Sequence, residues 1–260
     1  MIQISSHLEK ADLDGALQAA LTQVKTQPTD TQARRLLIDL LIVAGDFERA
    51  DKQADILSKT SVDTALAMGL LRGRLRAASA RQAWFSDGAV PAFPEGPTDR
   101  DRAAMELAVA RREGDAQSVK IALEALTAMS ETGGLKVNGK PVQSFRDADD
   151  RIPHALEVLC TDGSYMWIDF SLVEDVTFPQ IKVVRDLAWR PAKLTMRDGS
   201  ETEVIVCSTY FVTDPTNDER LARSTDWVEE AGIVYGRGQK TFLIDDDAIT
   251  AVDLTSLSAA

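Results

Sequence analysis

In the first half of the chain, apolar residues recur at three- and four-residue steps, the spacing that places side chains on one face of an α-helix. Before Pro28 that stripe consists of Leu13, Ala16, Leu17, Ala20, Leu21 and Val24. A second helix is predicted over residues 31–44, where Gly45 ends it, and a third begins near Asp46. The pattern therefore predicts a helical N-terminal part.

Two of these helices share a sequence pattern. Residues 12–20 match residues 46–54 at an offset of 34 residues, which is the tetratricopeptide period. Ala16 and Ala50 occupy the position where the two helices of such a repeat cross closely. The next equivalent position holds Trp84, so we predict one long helix over residues 62–85 in place of a third regular repeat.

A Pro-rich loop over residues 87–97 follows the long helix, and helices over residues 99–113 and 115–131 complete the helical part. Stacked repeats of this kind usually bind other polypeptides. We therefore predict a tetratricopeptide-like α-helical repeat domain over residues 1–132 that folds alone.

The pattern changes at Gly133-Gly134, after which apolar residues form short runs bounded by turns. Asp162-Gly163 and Asp198-Gly199 each separate two such runs, which is a strong hairpin signal. Residues 133–260 are therefore predicted to form a mainly antiparallel β domain. The expected fold class is α+β, and proteolysis is expected near Gly133 or in the 87–97 loop.

Composition narrows the class of partner. The chain has 260 residues and a net charge of −12, which repels nucleic acids and anionic membranes. No signal peptide or apolar run of about 18 residues is present, so a cytoplasmic protein is expected without membrane insertion. Cys160 and Cys207 are expected to be reduced core thiols.

Two acidic clusters are the best argument for an enzyme. Asp147, Asp149 and Asp150 form one, and residues 245–247 form the other. Neighbouring carboxylates can hold a divalent cation, so a metal-dependent enzyme using the first cluster is the alternative function. Neither cluster has the glycine and terminal glutamate of a calcium-binding loop. Both are therefore expected in solvated turns.

Few other residues are candidates for catalysis or ligand binding. His7 and His154 are the only histidines, and neither belongs to a metal-ligand or nucleophile motif. His7 is expected in a mobile terminal segment and His154 at a strand boundary. No phosphate-binding glycine motif is present either. We therefore predict no catalytic residues, no bound metal and no cofactor.

Several motifs in the second half resemble one known family. They are Asp147 to Arg151, Leu156-Glu157-Val158, Tyr165-Met166-Trp167, Arg185 to Ala192, Arg223 to Trp227 and Gly236 to Gln239. In this order they resemble the ImpE family, also called TagJ, and the resemblance extends upstream through residues 45–51. It implies a cytoplasmic, non-enzymatic accessory factor of bacterial type VI secretion. Such a factor binds the small contractile-sheath subunit and connects the sheath to its AAA+ unfoldase.

The family-motif residues have a structural interpretation as well. They are Arg185, Asp186, Trp189, Arg223, Thr225, Asp226 and Trp227. Arg185 with Asp186, and Arg223 with Asp226, could form salt bridges, while the tryptophans supply apolar area to the β core. Thr225 or Asp226 could also cap a helix or turn. This structural role is favoured over partner binding.

A partner-binding face is predicted on the helical domain. Counted from Thr31, the groove-facing positions of a tetratricopeptide first helix are Gln32, Arg35, Asp39, Ile42 and Val43. On the long helix, Gly69 and Gly73 would let another helix approach the backbone closely. Arg72 and Arg76 add a basic edge. This face is expected to bind an amphipathic, partly acidic helix of the small sheath subunit.

Two alternatives to this partner-binding interpretation remain open. Gly69 and Gly73 could pack against the domain's own next helix, with Arg72 and Arg76 simply solvated. The helical domain could also be a general peptide-binding tetratricopeptide chaperone, although the basic clamp of such modules is not evident.

Overall fold

The structure is a computed structural model that describes residues 2–260, and seven α-helices fill the N-terminal half of that range. They are α1 (Ile2–Glu9), α2 (Leu13–Thr26), α3 (Thr31–Val43), α4 (Phe47–Ser58), α5 (Val62–Asp87), α6 (Asp99–Glu113) and α7 (Ala116–Thr127). From α1 to α5 each helix packs on the next, and α6 packs on α7. None of the described helices is long and apolar enough to cross a membrane.

Capping side chains explain where these helices begin. Asp30 Oδ1 accepts hydrogen bonds from two backbone N–H groups at the start of α3, and Ser61 accepts one at the start of α5. Thr98 and Asp101 form a reciprocal capping box on α6. The predicted helices are confirmed, although α7 ends four residues earlier than predicted. The sequence missed α1, where His7 Nδ1 lies 2.7 Å from Asp12 Oδ2, so His7 is not in an irregular tail.

The second half of the described chain is mainly antiparallel β-structure, as predicted. Its strands are β1 (Leu135–Val137), β2 (Lys140–Val142), β3 (Phe145–Asp147), β4 (Ala155–Leu159), β5 (Tyr165–Asp169), β6 (Val173–Thr177), β7 (Trp189–Met196), β8 (Glu201–Cys207), β9 (Thr225–Glu230), β10 (Ile233–Gly238), β11 (Thr241–Ile244), β12 (Asp247–Thr250) and β13 (Ser256–Ala259). A short helix, α8 (Asn217–Arg220), precedes β9, and a 3₁₀ turn covers Val184–Leu187.

The main sheet has eight strands in the order β2-β1-β13-β6-β7-β8-β4-β5. Strands β12, β11 and β3 form a second sheet, and β9 pairs only with β10 among the described strands. Both predicted hairpins are confirmed, β4–β5 around Gly163 and β7–β8 around Gly199. Each of these glycines has a positive φ, which other residues rarely adopt.

The two faces of the main sheet belong to different hydrophobic cores. Leu156, Val158 and Ile168 face the core that also contains Phe145 and Phe242 of the smaller sheet. The alternate residues on the opposite face, such as Leu159 and Trp167, belong to the same buried cluster as the helices. Helices and sheet therefore share one core. Whether residues 1–132 fold alone stays a prediction.

Candidate functional site

The long helix α5 is apolar on two opposite faces. Met68, Leu71 and Leu75 lie on the inner face, toward the other helices, and are buried. The opposite, outer face carries Val62, Leu66, Gly69, Leu70, Gly73, Ala77 and Trp84. A helix that is apolar on both sides needs a covering layer on each side.

The C-terminal half of the outer face is covered by the β-rich part. Ala77 is fully buried, and the ring of Trp84 packs edge-on against Trp167 of β5 with centroids 4.9 Å apart. Gly73 lies directly under the β4–β5 turn. A Cβ atom built on Gly73 would be 1.7 Å from the carbonyl oxygen of Thr161. This half of the outer face is an intramolecular interface.

The prediction that Gly73 leaves space for a partner helix is therefore wrong, because the chain's own hairpin occupies that space. The alternative that it packs against the next helix is also not observed, since its neighbour is the β4–β5 turn. The signal missed in the sequence was the apolar outer face itself, which continues from Gly73 through Ala77 to Trp84.

The N-terminal half of the outer face, residues 62–70, has no such cover, and we call it the bare half of α5. Val62 is 85% exposed, Leu66 is 70% exposed and Leu70 is 45% exposed. Apart from the helix's own backbone, no described atom lies within 4 Å of the position a Cβ on Gly69 would take. A contiguous apolar stripe of this kind is typical of an interaction surface.

The two arginines predicted as a basic edge have different surroundings. Arg72 Nε lies 2.7 Å from Asp51 Oδ1, and its Nη1 lies 3.0 Å from Asp55 Oδ1, both on α4. The hydrogen bond to Asp51 raises the pKa of Arg72. Arg76 is exposed beside Gly163 of the β4–β5 turn. The basic edge is thus reduced to Arg76.

The predicted positions on α3 lie on a different surface. Gln32, Arg35 and Asp39 line a groove of about 530 Å³ together with Met68, Leu71 and residues 182–185. Ile42 is 2% exposed and belongs to the core, so its prediction as a groove residue is wrong, as is that of buried Val43. The structure therefore separates the predicted face into the α3 groove and the outer face of α5.

Asp39 is the charged centre of the α3 groove. Its Oδ1 lies 2.9 Å from Arg185 Nη1, which ties α3 to the 3₁₀ turn of the β-rich part. Burial raises the pKa of Asp39 to about 6, and the positive charge of Arg185 offsets only part of that effect. This ion pair therefore has a carboxylate that titrates close to neutral pH.

The family-motif residues make structural contacts that differ from those predicted. Arg185 pairs with Asp39 and not with Asp186, whose carboxylate accepts from the backbone N–H groups at residues 182 and 183. Arg223 does not pair with Asp226, because it donates to the carbonyl oxygens of residues 8 and 9 in α1. Both arginines connect the helical and β-rich parts.

The tryptophans and the threonine of the motif differ in burial and in their contacts. Trp189 is buried and packs against Phe47 of α4 with ring centroids 5.6 Å apart. Thr225 begins β9 and donates to the carbonyl oxygen of Gln239, so the predicted helix-cap role is wrong. Trp227 is 45% exposed and makes an edge contact with Tyr210.

The first acidic cluster is not a solvated turn, contrary to the prediction. Asp147 is fully buried, and its Oδ2 lies 2.6 Å from Lys240 Nζ. Asp149 is also buried and accepts hydrogen bonds from the Arg151 guanidinium. Asp150 accepts from Arg146 and a backbone N–H group. These carboxylates are engaged by protein cations and backbone donors, which leaves the proposed metal-dependent chemistry without free ligands here.

A buried ionic network extends this cluster to the helices. Lys240 Nζ also lies 3.0 Å from Glu157 Oε2, and Glu157 accepts two hydrogen bonds from Arg81 of α5. Burial alone would lower the pKa of Lys240, but the two carboxylates raise it above its ordinary value. Burial raises the pKa of the nearby Cys207 thiol to about 11. The carboxylates and cations of this network are paired with one another inside the protein, which suits a structural role.

A second buried group joins α6 to the sheet. Ligand atoms of Asp101, His154 and Asp169 lie within 4.8 Å of one another. His154 Nε2 is 2.9 Å from Asp101 Oδ1, and Arg100 bonds to both carboxylate oxygens of Asp169. The Arg100 guanidinium already neutralises Asp169. The group is therefore best described as a polar contact between the start of α6 and strand β5.

Comparisons with known proteins bear on the whole chain. Residues 139–258 match the model of the ImpE protein family. Over 253 residues the chain is 26% identical to the type VI secretion system accessory component TagJ of Pseudomonas aeruginosa, covering 96% of this chain and 88% of that protein.

A solved structure agrees with this similarity. The crystal structure of protein VPA1032 from Vibrio parahaemolyticus superposes with a TM-score of 0.89 at 25% identity, covering 99% of this chain and 97% of that one. The architecture of helices followed by a β-rich part is thus shared over nearly full length. The match of residues 139–258 to the ImpE family model confirms the resemblance indicated by the sequence motifs.

Proposed function

We propose that this chain is an accessory component of a type VI secretion system that acts by binding protein partners in the cytoplasm. The similarity to TagJ over 96% of the chain supports this role. The buried ionic network supports a non-catalytic role, because Glu157 and Lys240 are paired with each other and with Arg81 and Asp147 inside the protein.

The bare half of α5 is the proposed docking site, and one observation carries that proposal. It continues the same helix face that the chain's own β4–β5 hairpin covers from Gly73 onward, yet its three large apolar side chains are exposed. Exposing Leu66 and Leu70 costs hydrophobic free energy that a partner would recover, at about 25 cal/mol per Å² of buried apolar area.

The proposed occupant is an amphipathic helix of the small sheath subunit. Apolar side chains at positions 62, 66 and 70 have the four-residue spacing that one helix presents to another. Gly69 would let the partner backbone approach closely. An acidic residue of the partner would lie near Arg76, which keeps part of the predicted basic edge. The remaining surfaces would then connect the sheath to the AAA+ unfoldase.

Calorimetry with the small sheath subunit from the same organism tests this site. Leu66→Asp and Leu70→Asp each place a charge in the apolar contact and should weaken binding at least about tenfold, the effect of losing one hot-spot side chain. Ile121→Asp on α7, where the native side chain is 57% exposed, is the matched control and should bind like the parent. Thermal unfolding establishes that each variant is folded.

The possible results test the proposed site and the proposed partner separately. If the parent protein binds the sheath subunit but Leu66→Asp and Leu70→Asp bind equally well, the bare half of α5 is not the site. If the parent does not bind the sheath subunit at all, the proposed partner is wrong. Neighbouring genes that encode sheath components would support the accessory role independently.

A further inference from the structure

A separate pocket lies between the end of α5, helix α6 and the tip of the β9–β10 hairpin. It has a volume of about 340 Å³. Its apolar lining consists of Trp84, Phe85, Leu107, Ala108 and Ala231, and its charged lining consists of Arg111, Arg112, Arg151 and Glu230. An apolar floor beside three guanidinium groups is unusual in a chain with a net charge of −12.

Arg151 is a fixed wall of this pocket. Its guanidinium is bonded to the buried carboxylate of Asp149 and donates to the carbonyl oxygen of Phe211 at 3.0 Å. Its charge also lies over two aromatic rings, 4.6 Å from the centroid of Tyr235 and 5.1 Å from that of Phe85. Its donors and its charge are already used within the chain.

Arg111 is held less firmly. Its carboxylate partner is Glu230, at 3.2 Å, and the Glu230 side chain is 61% exposed at the hairpin tip. Burial and the nearby charge of Arg151 lower the pKa of Arg111. The positive charge of Arg111 is thus partly buried and lies beside the like charge of Arg151. It is compensated only by Glu230, whose side chain is open to solvent.

Arg112 has no carboxylate partner among the described residues. It donates to the carbonyl oxygen of Trp84 at 2.6 Å, and its guanidinium carbon lies 5.2 Å from the centroid of the Trp84 ring. The helix C-terminus at Gly114 favours positive charge at this point, which accounts for part of its placement. With Arg151 paired to Asp149 and Arg111 paired to Glu230, Arg112 is left as a guanidinium of the pocket without a carboxylate partner among the described residues.

We propose that this pocket binds an apolar group that bears a carboxylate. The apolar group would contact the partly exposed Phe85 and Ala108, which lie beside buried Trp84 and Leu107. The carboxylate would take the place of Glu230 on Arg111, with Arg112 as the second cation. Glu230 then acts as an internal stand-in that keeps Arg111 neutralised in the free protein. This site is distinct from the bare half of α5, and the proposal does not depend on the proposed function.

The same ligand chemistry has two sources: a small aromatic acid, or the C-terminal carboxylate of a polypeptide ending in an apolar residue. N-acetylphenylalanine and its uncharged amide are suitable first probes, because they share the ring and differ in the carboxylate. Binding is measured by calorimetry or by saturation-transfer NMR on the full chain. The acid should bind at least about tenfold more tightly than the amide.

Three variants locate the site. Arg111→Gln should weaken binding of the acid at least about tenfold, since it removes the principal cation. Glu230→Gln should strengthen binding, because it removes the competing carboxylate; a merely structural Glu230 would not give a gain. Arg102→Gln is the control on the same helix, where the native side chain is 55% exposed and pairs with Asp99. Thermal unfolding checks that all variants fold.

Two further probes identify the source. A tetrapeptide Gly-Ser-Gly-Phe with a free C-terminus that binds at least as well as 3-phenylpropionate supports a polypeptide C-terminus. Tighter binding of 3-phenylpropionate supports a small aromatic acid. The proposal is overturned if acid and amide bind equally, if Arg111→Gln binds like the parent, or if none of the acids binds more tightly than about 10 mM.

Discussion

Two glycines one turn apart on α5 offer a matched pair of substitutions. Both lie on the outer face of the helix, and neither has a positive φ. Gly69 is in the bare half, where an added Cβ would meet open space, whereas Gly73 lies under the β4–β5 turn. Replacing each with alanine adds the same methyl group to the same helix. The two variants therefore differ in what the methyl group meets.

The structure gives the sign and size of each effect. Alanine in a helix interior is favoured over glycine by about 0.5–1 kcal/mol, so Gly69→Ala should raise the free energy of unfolding by that amount. At Gly73 the Cβ would be 1.7 Å from the Thr161 carbonyl oxygen, so backbone must move. Overpacking of this kind costs about 1–3 kcal/mol, which exceeds the helix-propensity gain.

Urea denaturation followed by circular dichroism measures both variants. We expect Gly69→Ala to be more stable than the parent and Gly73→Ala to be less stable. Because the helix-propensity gain is common to both, the two should differ by the overpacking cost of about 1–3 kcal/mol. If Gly73→Ala gained stability as Gly69→Ala does, the hairpin would not pack on α5 as described. The interpretation of the bare half as the continuation of an interface would then fail.

Two further predictions follow from the buried charges, and a third tests the predicted domain boundary. The pKa of Asp39 is raised to about 6, so its contribution to stability is present below about pH 4 and is lost as the pH rises through 6. The unfolding free energy of Asp39→Asn should therefore gain up to about 3 kcal/mol relative to the parent between pH 4 and pH 7.5. An unchanged difference in unfolding free energy across that range would contradict this. By urea denaturation, Lys240→Met should lower the free energy of unfolding by about 3–5 kcal/mol, because it leaves buried carboxylates without their cation. Lys193, which pairs with Glu201 at the surface, is the control, and Lys193→Met should cost at most about 1 kcal/mol. Similar losses in the two variants would contradict the buried network. The fragment 1–132 should show a helical far-ultraviolet circular dichroism spectrum, and a random-coil spectrum would exclude two independent domains.

Local patterns were sufficient to predict most of the secondary structure. The apolar periodicity, with Pro28 and Gly45 marking helix ends, predicted the helices, and α6 has the predicted bounds. Asp-Gly pairs predicted both hairpins of the main sheet, because the turn geometry depends only on the residues within it. The family motifs likewise predicted the ImpE resemblance.

Long-range contacts could not be predicted in the same way. Arg185 has an acidic neighbour at position 186, yet it pairs with Asp39, almost 150 residues earlier in the chain. Lys240 similarly reaches Asp147 and Glu157 across the fold. A single sequence gives the charge of each side chain but not its partner. Such contacts depend on how the helices and the sheet pack.

The site prediction failed in part for the same reason. Helix geometry alone cannot show whether a small residue such as Gly73 faces a partner protein or another part of the chain. The covering hairpin became visible only with the tertiary structure. Gly69, one turn earlier, has the same character in sequence and remains open. The structure therefore moves the proposed site toward the N-terminal half of α5.

Hydrogen exchange of the intact protein, with and without the small sheath subunit, tests the proposed docking site most directly. A helix of the sheath subunit bound to the bare half of α5 should slow amide exchange over residues 62–70 and leave exchange in α7 unchanged. Protection centred instead on the β9–β10 hairpin around Trp227, or no protection over residues 62–70 at saturating sheath subunit, would contradict the account.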